Sequence, residues 1–235
     1  MKKGDLRRGQ ILDTAEKLFF EQGYDRTSVQ DILNVLNISK GGFYHYFDAK
    51  ETVLRELCER RWSDRYDRVK LELYGTRRSP IDKLNLILSF ANLFEGEDSH
   101  FAALMLKICY RDGDAAIRDY RRRTLVDMLR PHLDEVISEG IEAGLMHSRQ
   151  PMQVGRLLLL LACDINDEVC DMFVREPENP DRMIRMVELL NAYRESVERL
   201  SGAPYGSVTL FDAARMVNAW RTATEELNAL EASGV

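Results

Sequence analysis

Apolar residues recur at helical spacing along nearly the whole chain. The first stripe falls at positions i, i+1, i+4, i+7 and i+8 of one helix face and consists of Ile11, Leu12, Ala15, Leu18 and Phe19. Side chains at this spacing pack together on one side of a helix. No stretch alternates apolar and polar residues for long enough to predict a strand. The pattern therefore predicts an all-α protein.

Glycines, prolines and polar clusters divide this periodicity into separate helices. After the first helix, two short helices are predicted at 28–36 and 39–46, and a long amphipathic helix follows at 48–74. Further helices are predicted at 81–94, 99–110, 114–144, 151–174, 181–200 and 208–230. The expected architecture is a small N-terminal three-helix unit, a connecting helix and a larger helical bundle.

The two short helices have the signals of a helix-turn-helix. Thr27 and Gln30 have capping-box spacing, in which the hydroxyl accepts from a free backbone N–H and the amide reaches back. Asn37 and Ile38 are the only residues left to join the two helices. The turn needs one residue that tolerates a left-handed backbone, and Asn37 is the best candidate.

The second short helix has features that do not favour stability. Gly41 and Gly42 together cost about 2 kcal/mol relative to alanine in a helix interior, but they allow the backbone to approach a partner surface. Lys40 lies at the helix start, where the helix dipole favours phosphate. Three hydrogen-bonding aromatic residues follow, namely Tyr44, His45 and Tyr46. This combination favours a helix in the major groove of DNA, while a helical hairpin with an aromatic face is the structural alternative.

The charge distribution agrees with a DNA-facing N-terminus. The chain has a net charge of −6, which argues against nonspecific coating of nucleic acid. Residues 1–78 carry a net charge of +3 and residues 79–235 a net charge of −9. This asymmetry fits a nucleic-acid-binding head on an acidic body, although a solvated helical surface would also produce it.

Several function classes are disfavoured. No targeting signal is evident, and the longest apolar run, from Leu157 to Cys163, is far too short to span a bilayer. The sequence has no nucleophile elbow, phosphate-binding loop or HExxH motif, so we expect neither an enzyme nor a cofactor. The cysteines show no CxxC spacing, which favours buried thiols in the cytoplasm over a redox sensor; they are Cys58, Cys109, Cys163 and Cys170.

The run from Ile11 to Leu57 resembles the DNA-binding domain of the TetR/AcrR family of transcriptional regulators. It covers about a fifth of the chain, and several independent spacings agree at once. Asn37 departs from the pattern, because glycine is usual there. The matching residues are Ala15, Leu18, Phe19, Gly23, Tyr24, Thr27, Val29, Asp31, Ile32, Ser39, Lys40, Gly41, Tyr44, Tyr46, Phe47, Lys50 and Glu51.

The resemblance implies a helix-turn-helix domain over residues 1–50 and a ligand-binding and dimerisation domain over residues 51–235, with a connecting helix at 51–74. Lys40, Gly41 and Gly42 match positions that approach base edges, and Tyr44 matches one that contacts base methyl groups or phosphate. The phosphate-contacting candidates are Thr27, Ser39, His45, Tyr46 and Lys50, and Ser28 is a further DNA-binding candidate. The basic N-terminus is interpreted either as a DNA-binding arm or as solvated; it contains Lys2, Lys3, Arg7 and Arg8.

Apolar stripes in the C-terminal half predict a dimer interface made by two helices of each chain. The alternative is that the stripes face the chain's own core. On the helix at 151–174 the candidates are Leu158, Leu161, Ile165, Val169 and Met172. On the helix at 181–200 they are Met183, Val187, Leu190 and Val197.

A ligand pocket is expected between the connecting helix and the helices at 81–144. Its aromatic and methionine residues suggest an apolar or aromatic effector, although each could also belong to the core. The candidates are Trp62, Tyr66, Phe90, Phe94, His100, Phe101, Met105 and Tyr110. A metal site at the acidic ladder of Asp164, Asp167, Glu168 and Asp171 is disfavoured against solvation or pairing with Arg182, Arg185 or Arg194.

The leading hypothesis is a homodimeric, ligand-responsive repressor that binds a palindromic operator. The alternative is a helical DNA-binding architectural or division-type factor that uses the same head without an effector.

Overall fold

The computed structural model of the chain describes residues 3–75, 77–90, 99–111, 114–176, 178–209 and 213–232. Within these ranges the regular secondary structure is entirely helical, which confirms the all-α prediction. The helices are α1 (Lys3–Gln22), α2 (Val29–Leu36), α3 (Lys40–Tyr44), α4 (Lys50–Gly75), α5 (Pro80–Phe90), α6 (Ser99–Leu106), α7 (Ala115–Glu142), α8 (Pro151–Arg175), α9 (Arg182–Ser201) and α10 (Ala213–Ala232).

The region predicted as one helix at 99–110 contains two kinds of helix. After α6 the backbone widens into a π-helical turn at Lys107–Arg111. Ile108, Cys109 and Tyr110 of this turn are all buried. The last residues of the helix predicted at 81–94, among them Phe94, lie outside the described ranges.

The chain divides into two compact units, and the division falls inside α4, whereas the sequence placed the domain boundary at the start of that helix. The first unit comprises Met1–Arg65 and Glu225–Val235, and the second comprises Tyr66–Thr224. In the first unit, α1 packs on α2, and α2 contacts α3. The core includes Phe19, Ile32, Phe43 and Phe47, while Leu36 and Ile38 are half-buried.

In the second unit, α7 packs against both α5 and α8, and α8 packs against α9. Their shared core is largely aliphatic and also contains Phe90 and Tyr193. Its aliphatic members include Ile87, Leu129, Leu133, Leu158 and Val197. No helix within the described ranges is both long and apolar enough to cross a lipid bilayer.

The end of α9 is fixed against the loop between α7 and α8. Gly202 has φ of 67°, and a Cβ there would lie 2.1 Å from the His147 carbonyl oxygen. The His147 N–H donates to the Ser201 carbonyl at 3.1 Å. Only glycine combines a left-handed backbone with so close an approach.

Candidate DNA-binding surface

Helix α2 begins with a capping box, but one residue later than the sequence indicated. Ser28 is the N-cap: its hydroxyl accepts from the Asp31 N–H at 3.2 Å, and the Asp31 carboxylate accepts from the Ser28 N–H at 2.8 Å. The hydrogen bonds from the Ser28 hydroxyl and backbone lower the pKa of Asp31. The predicted pairing of Thr27 with Gln30 is therefore wrong.

Thr27 is buried and serves the fold of the head. Its hydroxyl lies 2.8 Å from the Gly23 carbonyl oxygen and 3.2 Å from the Leu18 carbonyl oxygen. Since the hydroxyl has a single proton and lies beneath the surface, it is poorly placed to contact a phosphate. The phosphate role implied for Thr27 is not supported, and the neighbouring Ser28 is the exposed hydroxyl at this position.

The turn between α2 and α3 has the predicted left-handed residue. Asn37 has φ of 50° and ψ of 51°, and its N–H lies within reach of the carbonyls of Leu33 and Asn34. Asparagine adopts this conformation more readily than most residues other than glycine, so the departure from the family's usual glycine is tolerated. The prediction for Asn37 is confirmed.

Helix α3 is anchored on one side and exposed on the other. The Ser39 hydroxyl caps it by accepting from the Gly42 N–H at 3.2 Å, and Phe43 is fully buried beneath it. The exposed residues are Ser39, Lys40, Gly41, Tyr44 and His45, with Gly42 and Tyr46 half-buried. The first unit thus presents most of the predicted base-reading residues together on one surface.

The glycines of α3 are not demanded by the packing of the chain itself. A Cβ at Gly41 would meet nothing nearer than the Ser39 hydroxyl oxygen at 4.0 Å. A Cβ at Gly42 would meet only ordinary contacts, the closest being the same oxygen at 3.5 Å. Neither glycine has a positive φ. The fold would accept alanine at both positions, so the bare backbone is explained better by an external partner.

Two of the basic candidates are already engaged within the first unit. The Lys50 ammonium donates to the Tyr24 carbonyl at 2.6 Å and lies 4.1 Å from the centre of the Tyr24 ring. Two of its three N–H groups remain for a phosphate. Arg8 pairs with Glu56 and stacks on Phe47.

The predicted N-terminal arm is largely helix. Because α1 begins at Lys3, Arg7 and Arg8 belong to it and cannot act as a flexible arm. Lys2 lies outside the described residues.

The candidate effector residues fall in both units. Trp62 is buried in the first unit. In the second unit Tyr66 packs edge-to-face on Phe90 at 6.3 Å between ring centres, and Phe101, Met105 and Tyr110 are buried. The side chain of His100 lies outside the described residues, as does the whole of Phe94. Their role in binding a ligand stays a prediction.

The predicted interface stripe is split between the core and the surface. Leu158 and Val197 are fully buried in their own chain and cannot contact a second one. Val169, Met172 and Leu190 are also buried. Four candidates retain exposed surface, and three of them are half-buried, namely Leu161, Ile165 and Met183. Val187 is 45% exposed.

The acidic ladder pairs differently from the prediction. Asp167 binds Arg121 and Asp171 binds Arg175, whereas Arg185 pairs with Glu176. Asp164 and Glu168 face solvent. Within the described residues, no group of three or more His, Cys, Asp or Glu could hold a metal ion.

Sequence reasoning missed a buried arginine. Arg121 is 1% exposed and lies on the buried face of α7 between Ile117 and Leu125. Its Nη2 donates to the Asp167 carboxylate at 2.5 Å and to the Tyr110 hydroxyl at 3.0 Å. The spacing could have indicated its burial, because Arg121 lies four residues after Ile117 and four before Leu125 and so shares their face of the helix.

A second missed network joins α4 to α7. The His132 ring contacts the Tyr66 hydroxyl through Nε2 and the Tyr74 hydroxyl through Nδ1, the latter at 2.5 Å. Tyr74 in turn donates to the Glu135 carboxylate at 2.6 Å. Burial lowers the pKa of His132, which favours the neutral ring.

Comparison with known proteins identifies the class of the first unit. Residues 11–57 match the family model described as bacterial regulatory proteins, tetR family. This range contains α2, the left-handed turn, α3 and the residues that pack beneath them. The fold and the exposed α3 surface define a helix-turn-helix DNA-binding protein. Residues 11–57 therefore form a DNA-binding domain of the type found in the tetR family of bacterial regulatory proteins.

Two curated relatives align with the chain over longer stretches. The chain is 28% identical to the uncharacterized HTH-type transcriptional regulator YuxN of Bacillus subtilis over 129 residues, which cover 54% of this chain and 44% of that protein. It is 27% identical to the HTH-type transcriptional repressor KstR2 of Mycobacterium tuberculosis over 142 residues, which cover 59% of this chain and 68% of that protein. The match thus spans less than half the length of YuxN and about two thirds of KstR2.

The fold extends beyond these alignments. The solved structure of the transcriptional regulator FadR from Bacillus subtilis in complex with stearoyl-CoA matches with a TM-score of 0.54. The match covers 79% of this chain and 96% of that one at 22% sequence identity, so it shows a shared fold.

Proposed function

We propose that the protein is a homodimeric repressor that binds a pseudo-palindromic operator in the cytoplasm and is released by a small-molecule effector. The observation that carries the proposal is the exposed α3 surface, where Lys40, Gly41 and Tyr44 stand together on a capped helix. Gly41 and Gly42 lower the stability of the helix, and packing within the chain does not require glycine at either position. This supports a close approach of the α3 backbone to DNA. The repressor role is also that of KstR2 by its name.

Dimerisation is supported by apolar residues left uncovered on α8 and α9. Leu157 on α8 and Ile184 and Val187 on α9 are each about half exposed. Helices α8 and α9 pack on each other within one chain. If a two-fold axis passes beside them, these two helices and their copies in the second chain form a four-helix interface. Two heads held in this way would read two inverted half-sites.

An effector is supported by the composition of the second unit and by a relative. Phe90, Phe101, Met105 and Tyr110 supply aromatic and methionine side chains to its interior, which suits a largely apolar ligand. The FadR structure contains stearoyl-CoA, a ligand with a long apolar chain.

Selection of bound sequences from random DNA tests the operator. We expect two inverted half-sites with centres about 10 base pairs apart, or a multiple of that spacing, and a footprint that covers both. Protection of one isolated, asymmetric half-site at full affinity would contradict the proposal. Binding without sequence preference would instead favour an architectural factor.

The same DNA tests the recognition surface. Lys40→Ala is expected to weaken operator binding by about 1–3 kcal/mol of binding free energy per half-site if the Lys40 ammonium hydrogen-bonds a base. Lys17→Ala is the matched control, because Lys17 is an exposed lysine on α1 that pairs only with Glu21 at 3.8 Å among the contacts described. Equal operator affinity of both variants would show that α3 does not read the DNA in the proposed register.

A further inference from the structure

The buried guanidinium of Arg121 has more donors than the described residues satisfy. Among these residues only Asp167 and Tyr110 bind it, and both do so at Nη2. Nε and Nη1 are buried and have no hydrogen-bond partner among the described residues. These two nitrogens carry three N–H groups. Leaving charged donors unpaired inside a protein is costly, so this arrangement requires an explanation.

A contribution to stability does not explain it. A buried ion pair is often no more stabilising than apolar side chains of similar volume, and here one partner is incompletely paired. Apolar residues occupy the same face of α7 one turn on either side, at Ile117 and Leu125. A methionine would continue that stripe and leave no unpaired donor.

The neighbouring backbone is also unusual. Tyr110, which shares Nη2 with Asp167, belongs to the π-helical turn at Lys107–Arg111. Single π-helical turns are rare and are frequent at functional sites. This turn packs against both α7 and α8, so three segments converge on the guanidinium.

The other polar groups around Arg121 do not compete for it as anions. Burial raises the pKa of the Cys109 thiol to about 12 and raises those of the Cys163 and Cys170 thiols. The thiols are therefore neutral at physiological pH. The Asp167 carboxylate is the anion that binds Arg121, and its side chain is 28% exposed, so it can be hydrated without Arg121.

We propose that Arg121, Tyr110 and Asp167 form the polar end of the effector site and that the effector carries a carboxylate, which accepts from Nε and Nη1 of Arg121. The inference rests on the proposed ligand-responsive function and specifies its ligand class, an acid with an apolar body. A carboxylate suits these donors better than a neutral acceptor, because hydrogen bonds between two charged groups are the stronger ones. Tyr110 and Asp167 are both bound at Nη2, which leaves Nε and Nη1 to the effector.

The test compares acids with their neutral esters on the full-length protein. The probes are decanoate and phenylacetate, each against its methyl ester, and the readouts are thermal stabilisation and calorimetric affinity. We expect the acids to bind the wild type and Arg121→Met to bind them about tenfold to a hundredfold more weakly. Arg123→Met is the matched control, because Arg123 lies on the same helix with its side chain 75% exposed and is expected to retain wild-type binding.

A second variant is expected to change the affinity for the acids in the opposite direction. This test remains valid even if Arg121→Met fails to fold. Asp167→Asn keeps the guanidinium but removes the neighbouring negative charge at Nη2, which repels a second carboxylate, so we expect this variant to bind the acids severalfold more tightly than the wild type. A merely structural ion pair does not predict tighter binding. Unchanged or weaker acid binding by Asp167→Asn would overturn the proposal, as would equal binding of acids and esters by the wild type.

Operator binding separates this inference from the proposed function. We expect Arg121→Met to bind the selected operator as the wild type does, but to resist release by the acids. Specific operator binding by a wild-type protein that binds neither acid would leave the repressor role standing and overturn the carboxylate site. Acid binding that depends on Arg121 without any selected operator would overturn the repressor role alone.

Discussion

The backbone conformation and packing at Gly41 are compatible with alanine. The backbone is not left-handed, and a Cβ there would meet nothing nearer than the Ser39 hydroxyl oxygen at 4.0 Å. Alanine favours a helix over glycine by about 1 kcal/mol. We therefore expect Gly41→Ala to be as stable as the wild type or more so, while its operator affinity falls because a methyl group separates the backbone from the base edges. Thermal unfolding and fluorescence anisotropy measure the two effects.

Gly9→Ala is the matched control for this prediction. Gly9 lies within α1, and a Cβ there would meet nothing within 4 Å. It should gain helix stability in the same way but keep the wild-type affinity for operator DNA. If Gly41→Ala also kept full affinity, α3 would not approach the DNA closely at this position.

Residue identities predicted the turn better than the cap. Asn37 could be assigned because few residues tolerate a left-handed backbone, and that preference is local. Thr27 and Ser28 could not be distinguished locally, since each is a hydroxyl residue followed three positions later by a side chain able to accept from the backbone. Burial of Thr27 against the carbonyls of Leu18 and Gly23 decided between them.

At the scale of helices, periodicity predicted where the elements lie but not what each face contacts. Helix α8 contains five consecutive leucines, from Leu157 to Leu161. Because these leucines point to all sides of the helix, the sequence does not specify which side faces the core. The structure turns Leu158 and Leu159 into the core and leaves Leu157 exposed. The register of such a helix is set by packing against α7 and α9, which a single sequence does not specify.

The contact between α4 and α7 is expected to depend on pH through His132. Tyr66 can donate to Nε2 of a neutral ring, whose Nδ1–H donates to Tyr74, and Tyr74 donates to Glu135, so one tautomer satisfies the whole chain. Burial lowers the pKa of His132 below its usual value of about 6.5, with Lys70 acting in the same direction and Glu135 opposing it. The unfolded state then binds the proton more readily than the folded state.

Stability should therefore fall as the pH drops from about 7 through the pKa of the unfolded histidine at about 6.5, and it should be insensitive to this group above that pH. Thermal unfolding between neutral and mildly acidic pH measures the effect, and His132→Gln should reduce its slope. His147→Gln is the control, because His147 is exposed and lies in the loop after α7. Equal slopes in the wild type and His132→Gln would show that this network does not couple protonation to folding.

For the whole molecule, the decisive question is what covers the apolar residues of α8 and α9. Leu161 and Ile165 are partly buried and pack against the core of their own chain. A substitution at either position would therefore disturb folding and dimerisation together. Val187 offers a cleaner test because it is 45% exposed and is absent from that core. Leu71 on α4 is more exposed still, at 73%, and lies outside the proposed interface.

Val187→Glu should dissociate the dimer while each chain stays folded. In a two-fold interface the same residue is contributed by both chains, so the substitution places two carboxylates in one desolvated seam at a cost of several kcal/mol. Operator affinity should fall sharply, because the second head is no longer held at high effective concentration beside its half-site. Sedimentation velocity and operator titration measure the two effects, with Leu71→Glu expected to behave as the wild type. A folded Val187→Glu protein that remains dimeric would place the two-fold axis on another face of the molecule.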